Sequence, residues 1–146
     1  MKYPIVKPYL PNQEKYQSHL NGIFDRNWLT NNGPLVQELE KRLAGYLGVE
    51  HLLLVANGTL ALQVAYAALD IKGKVLTTPF SFAATASSLC WQNLTPKFVD
   101  IDVQSLNINV EAIAEQDLES VDAILGVHVF GNPCEVEAID SVTKVH

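Results

Sequence analysis

Positive charge is scarce in this sequence. Ten Lys and Arg face sixteen Asp and Glu, for a net charge of -6. Binding to nucleic acid rests on clustered Lys and Arg that neutralise phosphates. No basic run is present, which argues against such a partner. Cysteine is scarcer still: Cys90 and Cys134 lie far apart with no Cys-x-x-Cys spacing, so neither a disulfide framework nor a zinc site is suggested. Free thiols fit a reducing compartment, and a cytoplasmic location is the expectation. No segment reaches the roughly 20 apolar residues of a membrane span. The first residues, Met1 to Ile5, do not read as a signal peptide. Two nucleotide motifs are missing. No Lys follows Gly58, so there is no GxxxxGK[ST], and Gly58 stands too isolated for GxGxxG. No internal repeat, low-complexity segment, Ser/His/Asp set or Cys/His set can be read, and His19, His51 and His146 belong to no constellation.

What is present is a core. Apolar residues make up 48% of the 146 and charged residues 18%, the balance of a globular chain of about one domain. The chain is organised around Val55 to Leu62. Leu52, Leu53, Leu54 and Val55 read as a buried strand. The Ala- and Leu-rich segment from Leu60 to Leu69 reads as a helix, apolar almost all round and so expected to be buried on more than one side. Between them, Asn57 stands at an N-cap position. The first N–H groups of a helix lack internal partners, and the helix dipole adds positive character there. A strand, a small turn and a helix N-terminus thus suit an anion such as phosphate. Gly58 allows close approach and Thr59 offers a hydroxyl. The same residues also make an ordinary capped turn, and both readings stand.

In chain order, residues 1–32 read as an irregular arm, with Pro4, Pro8 and Pro11 breaking regular structure. Its apolar residues, including Ile5, Val6, Tyr9, Leu10, Ile23, Phe24 and Trp28, call for a packing partner. A helix is expected from Pro34 at its first position to a stop at Gly48. Further strands are expected at Val75–Thr78, Pro96–Asp100 and Ala123–Val129. Helices are expected from Phe82 to about Trp91 with Ser81 as cap, near Val110 to Glu115 behind Asn109, and after Asn132 and Pro133 with Val136, Ile139 and Val142 on one face. Alternating strands and helices imply an α/β three-layer sandwich with a mostly parallel sheet. Ligands in such sheets bind beyond the carboxyl ends of strands, here the turns beginning at Ala56, Thr78, Asp100 and Phe130.

Few side chains there suggest chemistry. Phe80 and Phe82 follow the second strand and are either core or a stacking surface for a flat ligand. Asp100 and Asp102 could act as an acid/base pair, although a turn or cap role suits them better. His128 lies in an apolar strand and reads as a hydrogen-bonded core histidine. Asn132-Pro133-Cys134 reads as a helix start.

The stretches NNGPLVQELEKRLAGYLG, ANGTLAL, TTPFSFAATASS, PKFVDID, LNIN and GVHVFGNPCEVEAI, in this order, resemble the DegT/DnrJ/EryC1/StrS aminotransferases. These are pyridoxal-phosphate enzymes of fold type I that act mainly on nucleotide-linked keto sugars. The resemblance covers residues 30–146. It implies that residues 33–146, after the arm of residues 1–32, are the N-terminal part of a large domain, a partial, C-terminally truncated cofactor-binding domain. It implies that Gly58, Thr59 and Leu60 hold the cofactor phosphate, with Asn57 where many members have Ser, and that Phe82 stacks on the pyridine ring. Thr30, Asn31, Asn32 and Gly33 match a loop near the substrate pocket, and Thr85 and Ser87 match helix positions close to the site. The Schiff-base lysine and the Asp that pairs with the pyridine nitrogen fall beyond this chain. None of Lys72, Lys74, Lys97 and Lys144 matches that lysine, so the catalytic set is absent here and the chain alone is expected to be inactive. The complete protein would take an amino donor and a nucleotide-linked sugar and would work as a homodimer. Alternatives are a dehydratase on the same scaffold and a non-catalytic α/β module that binds an anion or a partner.

Overall fold

The computed structural model describes residues 6–143. The expectations for Ile5, Lys144 and His146 lie outside the described residues. The chain divides into two compact units, Met1–Leu54 and Val55–His146.

The first unit corrects the irregular arm. A helix, α1, runs over Gln13–Arg26. Asn12 accepts a hydrogen bond from Lys15 N–H, Glu14 and Arg26 complement the helix dipole at either end, and Asn27 closes the helix at φ 51°. Caps and end charges of this kind stabilise a helix whose apolar face is not buried. Tyr16, Leu20, Ile23 and Phe24 recur at helical spacing, a pattern the arm reading overlooked beside Pro4, Pro8 and Pro11, and none of the helix's residues is buried. Helix α2, Pro34–Leu47, matches expectation at both ends: Pro34 opens it, and Gly48 closes it in the left-handed region at φ 68°.

Leu52–Val55 do not form the expected strand. A strand requires a paired neighbour, and among the described residues none pairs with this run. Leu54 N–H is satisfied instead by Glu40 Oε1 at 2.9 Å, and Leu53 remains 67% exposed.

The second unit is built on a three-stranded parallel sheet. Strand β1, Lys74–Thr77, lies between β2, Thr95–Phe98, and β3, Ala123–Ile124. The apolar runs supply both faces, because side chains alternate along a strand. On one face Val75 packs with Tyr66, Leu89 and Leu94, which belong to α3 (Gly58–Ala68), α4 (Ala84–Trp91) and the turn after it. On the other, Leu76 packs with Val99, Ile108, Ile113 and Cys134, backed by Ile139 and Val142; there lie α5, Val110–Ala114, and α6, Val136–Thr143. Helices thus cover both faces, giving the expected three layers. Burying a side chain such as Leu76 completely contributes about 1.5–3 kcal/mol.

Helices α3 and α4 and the fourth expected strand also differ from expectation. Helix α3 is not buried on several sides: only Tyr66 is buried, while Leu60 and Val64 are 42% and 44% exposed. Helix α4 begins at Ala84 with Ala83 as N-cap. Ser81 therefore does not cap it; its hydroxyl pairs with Thr85 Oγ1 at 2.6 Å. The fourth expected strand keeps ladder pairing only at Ala123 and Ile124. Leu125 N–H still reaches Leu76 O, but the next partner of Leu125 O is the buried Thr77 hydroxyl, at 2.9 Å. A side chain takes the place of the ladder at the Leu125 carbonyl, and residues 126–128 run on free of it.

Candidate functional site

The turn at Asn57 is built as the sequence suggests. Asn57 is extended, and its Oδ1 accepts from Leu60 N–H at 3.0 Å. Its carbonyl accepts from Ala61 N–H at 3.1 Å. The cap therefore uses the Leu60 donor. Gly58 N–H, Thr59 N–H and the Thr59 hydroxyl find no acceptor among the described residues. A Cβ placed on Gly58 would meet no atom within 4 Å. The result is an open helix end with free donors and positive dipole character, the arrangement that favours an anion.

A cleft of about 470 Å³ lies beyond the carboxyl ends of β1 and β3. Pro79, Phe80, Ser81, Phe82 and Thr85 line it on the β1 side, and Val127, Val129 and Phe130 on the β3 side. Its place follows from topology. The chain leaves β1 through α4 on the Val75 face of the sheet and leaves β3 through α6 on the Leu76 face. Adjacent parallel strands whose connections leave in opposite directions open a crevice at their carboxyl ends. Two of the four turns expected to bind ligand, those beginning at Thr78 and Phe130, meet here.

Phe80 and Phe82 are not core. Phe82 is 82% exposed and Phe80 43%. Phe80 meets Phe130 edge to face, with ring centroids 6.5 Å apart and planes at 81°, a favourable aromatic geometry. Thr78 Oγ1 accepts from Phe80 N–H at 3.1 Å, fixing the turn after β1. Thr85 is buried in the cleft wall, whereas Ser87 is exposed and does not line it. Thr30, Asn31, Asn32 and Gly33 belong to the first unit, between α1 and α2, where Asn32 O accepts from Gln37 Nε2.

The remaining candidates are structural. Asp102 Oδ1 accepts from Ser105 N–H at 2.8 Å and Gln104 N–H at 3.1 Å. The Ser105 bonds, backbone first, hold its carboxyl below the ordinary value, against a small opposing effect of burial. Asp100 Oδ1 accepts from Ile101 N–H. Both carboxylates serve turns. His128 is hydrogen-bonded but not core: it is exposed, and its Nδ1 accepts from Cys134 N–H at 3.0 Å. Cys134 is buried, its thiol donates to Val127 O, and burial pushes its pKa up. A protonated, buried thiol is inert as a nucleophile. Among the described residues no cluster of His, Cys, Asp or Glu could hold a metal ion.

Sequence reasoning missed Asn107. It is 3% exposed and bonds three backbone groups near the cleft. Nδ2 donates to Asn132 O at 3.1 Å and Pro133 O at 2.8 Å, and Oδ1 accepts from Val129 N–H at 2.9 Å. The available signal was alternation: in Leu106-Asn-Ile-Asn109 both amides sit among apolar residues, and a buried amide must be hydrogen-bonded.

The sequence pattern of the DegT/DnrJ/EryC1/StrS aminotransferase family matches residues 11–146. Over 139 residues the chain is 45% identical to a dTDP-4-amino-4,6-dideoxy-D-glucose transaminase of Escherichia coli, covering 95% of this chain and 38% of that protein. Among solved structures, DesI in the presence of its TDP-sugar product matches with a TM-score of 0.85 at 36% identity, covering 92% of this chain and 34% of that one. The E. coli GDP-4-keto-6-deoxy-D-mannose-3-dehydratase with bound hydrated PLP matches with a TM-score of 0.85 at 26% identity, covering 98% and 38%. The chain spans about 38% of the length of the curated relatives it matches.

Proposed function

The chain belongs to the DegT/DnrJ/EryC1/StrS aminotransferase family, and from that premise we propose that it supplies the phosphate-binding turn and the ring-stacking surface of a pyridoxal-phosphate-dependent aminotransferase acting on a nucleotide-linked keto sugar. Its fold is that of the N-terminal part of the large domain of fold type I aminotransferases. The observation that carries the reading is the open N-terminus of α3, where Gly58 and Thr59 keep free donors behind the Asn57 cap.

The residues present fit the cofactor. Gly58 leaves space at the helix end, and charge-assisted bonds to a phosphate from the Gly58 and Thr59 amides are of the strong kind. Leu60 contributes position rather than a donor, since Asn57 holds its N–H. Phe82 exposes its ring at the cleft mouth, where a flat aromatic ligand can stack on it. Thr30 to Gly33 are assigned to the sugar substrate through the family resemblance. Pyridoxal phosphate, when bound, supplies the electron sink that amino-group transfer requires; the chain's own residues bind and orient.

Alone, the chain binds without turning over. Lys72 pairs with Asp70 at 2.9 Å. Lys74 starts β1, at the end of the sheet opposite the cleft, and Lys97 lies within β2. We take the working form to be a cytoplasmic homodimer using an amino donor, probed for association below. Transamination is preferred to dehydration because the transaminase relative is 45% identical, against 26% for the dehydratase.

An NMR titration tests the site. Inorganic phosphate should shift the amides of Gly58 and Thr59 with a millimolar dissociation constant, a free energy on the order of -4 kcal/mol. Thr59→Val should weaken binding by removing one donor, and Gly58→Val should weaken it further by filling the open space. Phe82→Ala should weaken pyridoxal phosphate but not inorganic phosphate. Phosphate shifts confined to other amides would refute the assignment.

A further inference from the structure

We infer that Asn107 is the positioning residue that fixes the aromatic wall of the cleft, by clamping the loop that carries Phe130. Three observations converge. Phe130 is a bulky residue held at φ 54°, in a region that only surrounding structure can enforce. Its ring is 89% exposed, so packing of the ring does not enforce it. The backbone on either side does, because Asn107 takes the Val129 N–H before it and the Asn132 and Pro133 carbonyls after it, all within 2.8–3.1 Å.

The chemistry of the amide suits the task. Two carbonyls need donors and one N–H needs an acceptor; a primary amide offers both from one planar group. The assigned orientation is the consistent one, since a flipped amide would set its NH2 against the Val129 N–H. Asn107 is itself anchored. Ile108 beside it is in the core, and Asn132 Nδ2 returns a bond to Ser105 O at 3.1 Å. The loop is thus tied to the 101–108 segment at several points, and Phe130 is held in T-shaped contact with Phe80 at the β1 side of the cleft. The importance of the clamp for cofactor binding rests on the function proposed above; the clamp itself does not.

The test separates the two. In the chain as it is, with 13C-labelled Phe, inter-ring NOEs report the Phe80–Phe130 contact, and hydrogen exchange reports the Val129 amide. Asn107→Leu removes all three bonds, while Asn107→Asp keeps the acceptor for Val129 and removes both donors. The expected result is a protected Val129 amide in wild type and in Asn107→Asp, exposed in Asn107→Leu. The ring contact should weaken in Asn107→Asp and vanish in Asn107→Leu, with the methyl signals of Leu76 and Ile113 unchanged. Pyridoxal phosphate should bind Asn107→Leu about fivefold more weakly, the ratio given by roughly 1 kcal/mol of aromatic contact, with inorganic phosphate unaffected. A purely structural role would weaken both ligands alike and would overturn the inference. So would an intact ring contact in a folded Asn107→Leu, or, should that variant not fold, an unprotected Val129 amide in wild type. If wild type binds no pyridoxal phosphate while the NOE and exchange results hold, the proposed function fails and the clamp stands.

Discussion

Asn57 does two jobs at the N-terminus of α3, and substitution should separate them. Its Oδ1 holds the Leu60 N–H at 3.0 Å, while the Gly58 and Thr59 donors stay open. Asn57→Ala removes an N-cap, which costs about 1 kcal/mol. For a domain of roughly 100 residues that corresponds to a fall in Tm of about 4–8 °C. The same change frees the Leu60 N–H, so phosphate affinity should hold or rise. Asn57→Asp keeps the capping oxygen and sets a negative charge on the positive end of the dipole, which stabilises by roughly 0.3–1 kcal/mol. Its Tm should match or exceed wild type, but the carboxylate repels an incoming anion and phosphate binding should fall. Stability and affinity thus move in opposite senses in the two variants. Thermal unfolding by circular dichroism, paired with the NMR phosphate titration, measures both. If Asn57→Ala leaves Tm unchanged, the cap does not form in solution. If Asn57→Asp binds phosphate as well as wild type, the anion does not sit at this helix end.

Asp102 should carry a share of the acid sensitivity. Its folded pKa lies below the ordinary 3.8, so its contribution to stability is present above that value and is lost as pH falls through the lowered folded pKa. Asp102→Asn should flatten Tm against pH in that acid window and leave the curve near neutrality parallel to wild type; an unchanged acid limb would count against the turn geometry. Self-association is the other expectation. Tyr9, Leu10, Phe24 and Leu29 are each more than 70% exposed, and large exposed apolar surface usually finds a partner. Sedimentation equilibrium over a range of concentrations should show a rising mass, and a monomer throughout would remove the case for a homodimer built on these residues.

The parts of the fold that were legible in the sequence are those fixed by local chemistry. Pro34 and Gly48 bracket α2 because one fixes φ and the other tolerates a left-handed turn. Asn57 and Asn109 cap α3 and α5 because a short amide reaches the first free N–H groups. The strand expected at Val75–Thr78 is present as β1, and its Val75 and Leu76 face the two cores. Helix α1 was legible but overlooked: Asn12, the charges at its ends and Tyr16, Leu20, Ile23 and Phe24 at helical spacing mark it, and the prolines before it drew the arm reading. In the site, the turns beginning at Thr78 and Phe130 were legible as strand ends, whereas their meeting in one cleft and the clamp were not. Asn107 meets Val129, Asn132 and Pro133 from at least 22 residues away, and spacing along the chain carries no signal for such a bond.

The unformed strand at Leu52–Val55 shows a different kind of limit. Its four apolar residues are a sound pattern for a doubly buried strand, and α3, next in the chain, is apolar almost all round, a sound pattern for a helix buried on several sides. Both expectations fail together, and for the same reason. Leu53, Leu60 and Val64 are exposed at 67%, 42% and 44%, while the pairing that would order residues 52–55 is absent among the described residues. Patterning records the surface a segment is suited to bury, not the partner that buries it. Where a partner lies within the chain, as for Tyr66 against Leu89 and Val75, pattern and structure agree. Agreement at Tyr66 and disagreement at Val64, two residues apart on one helix, locate the edge of what this chain packs against itself.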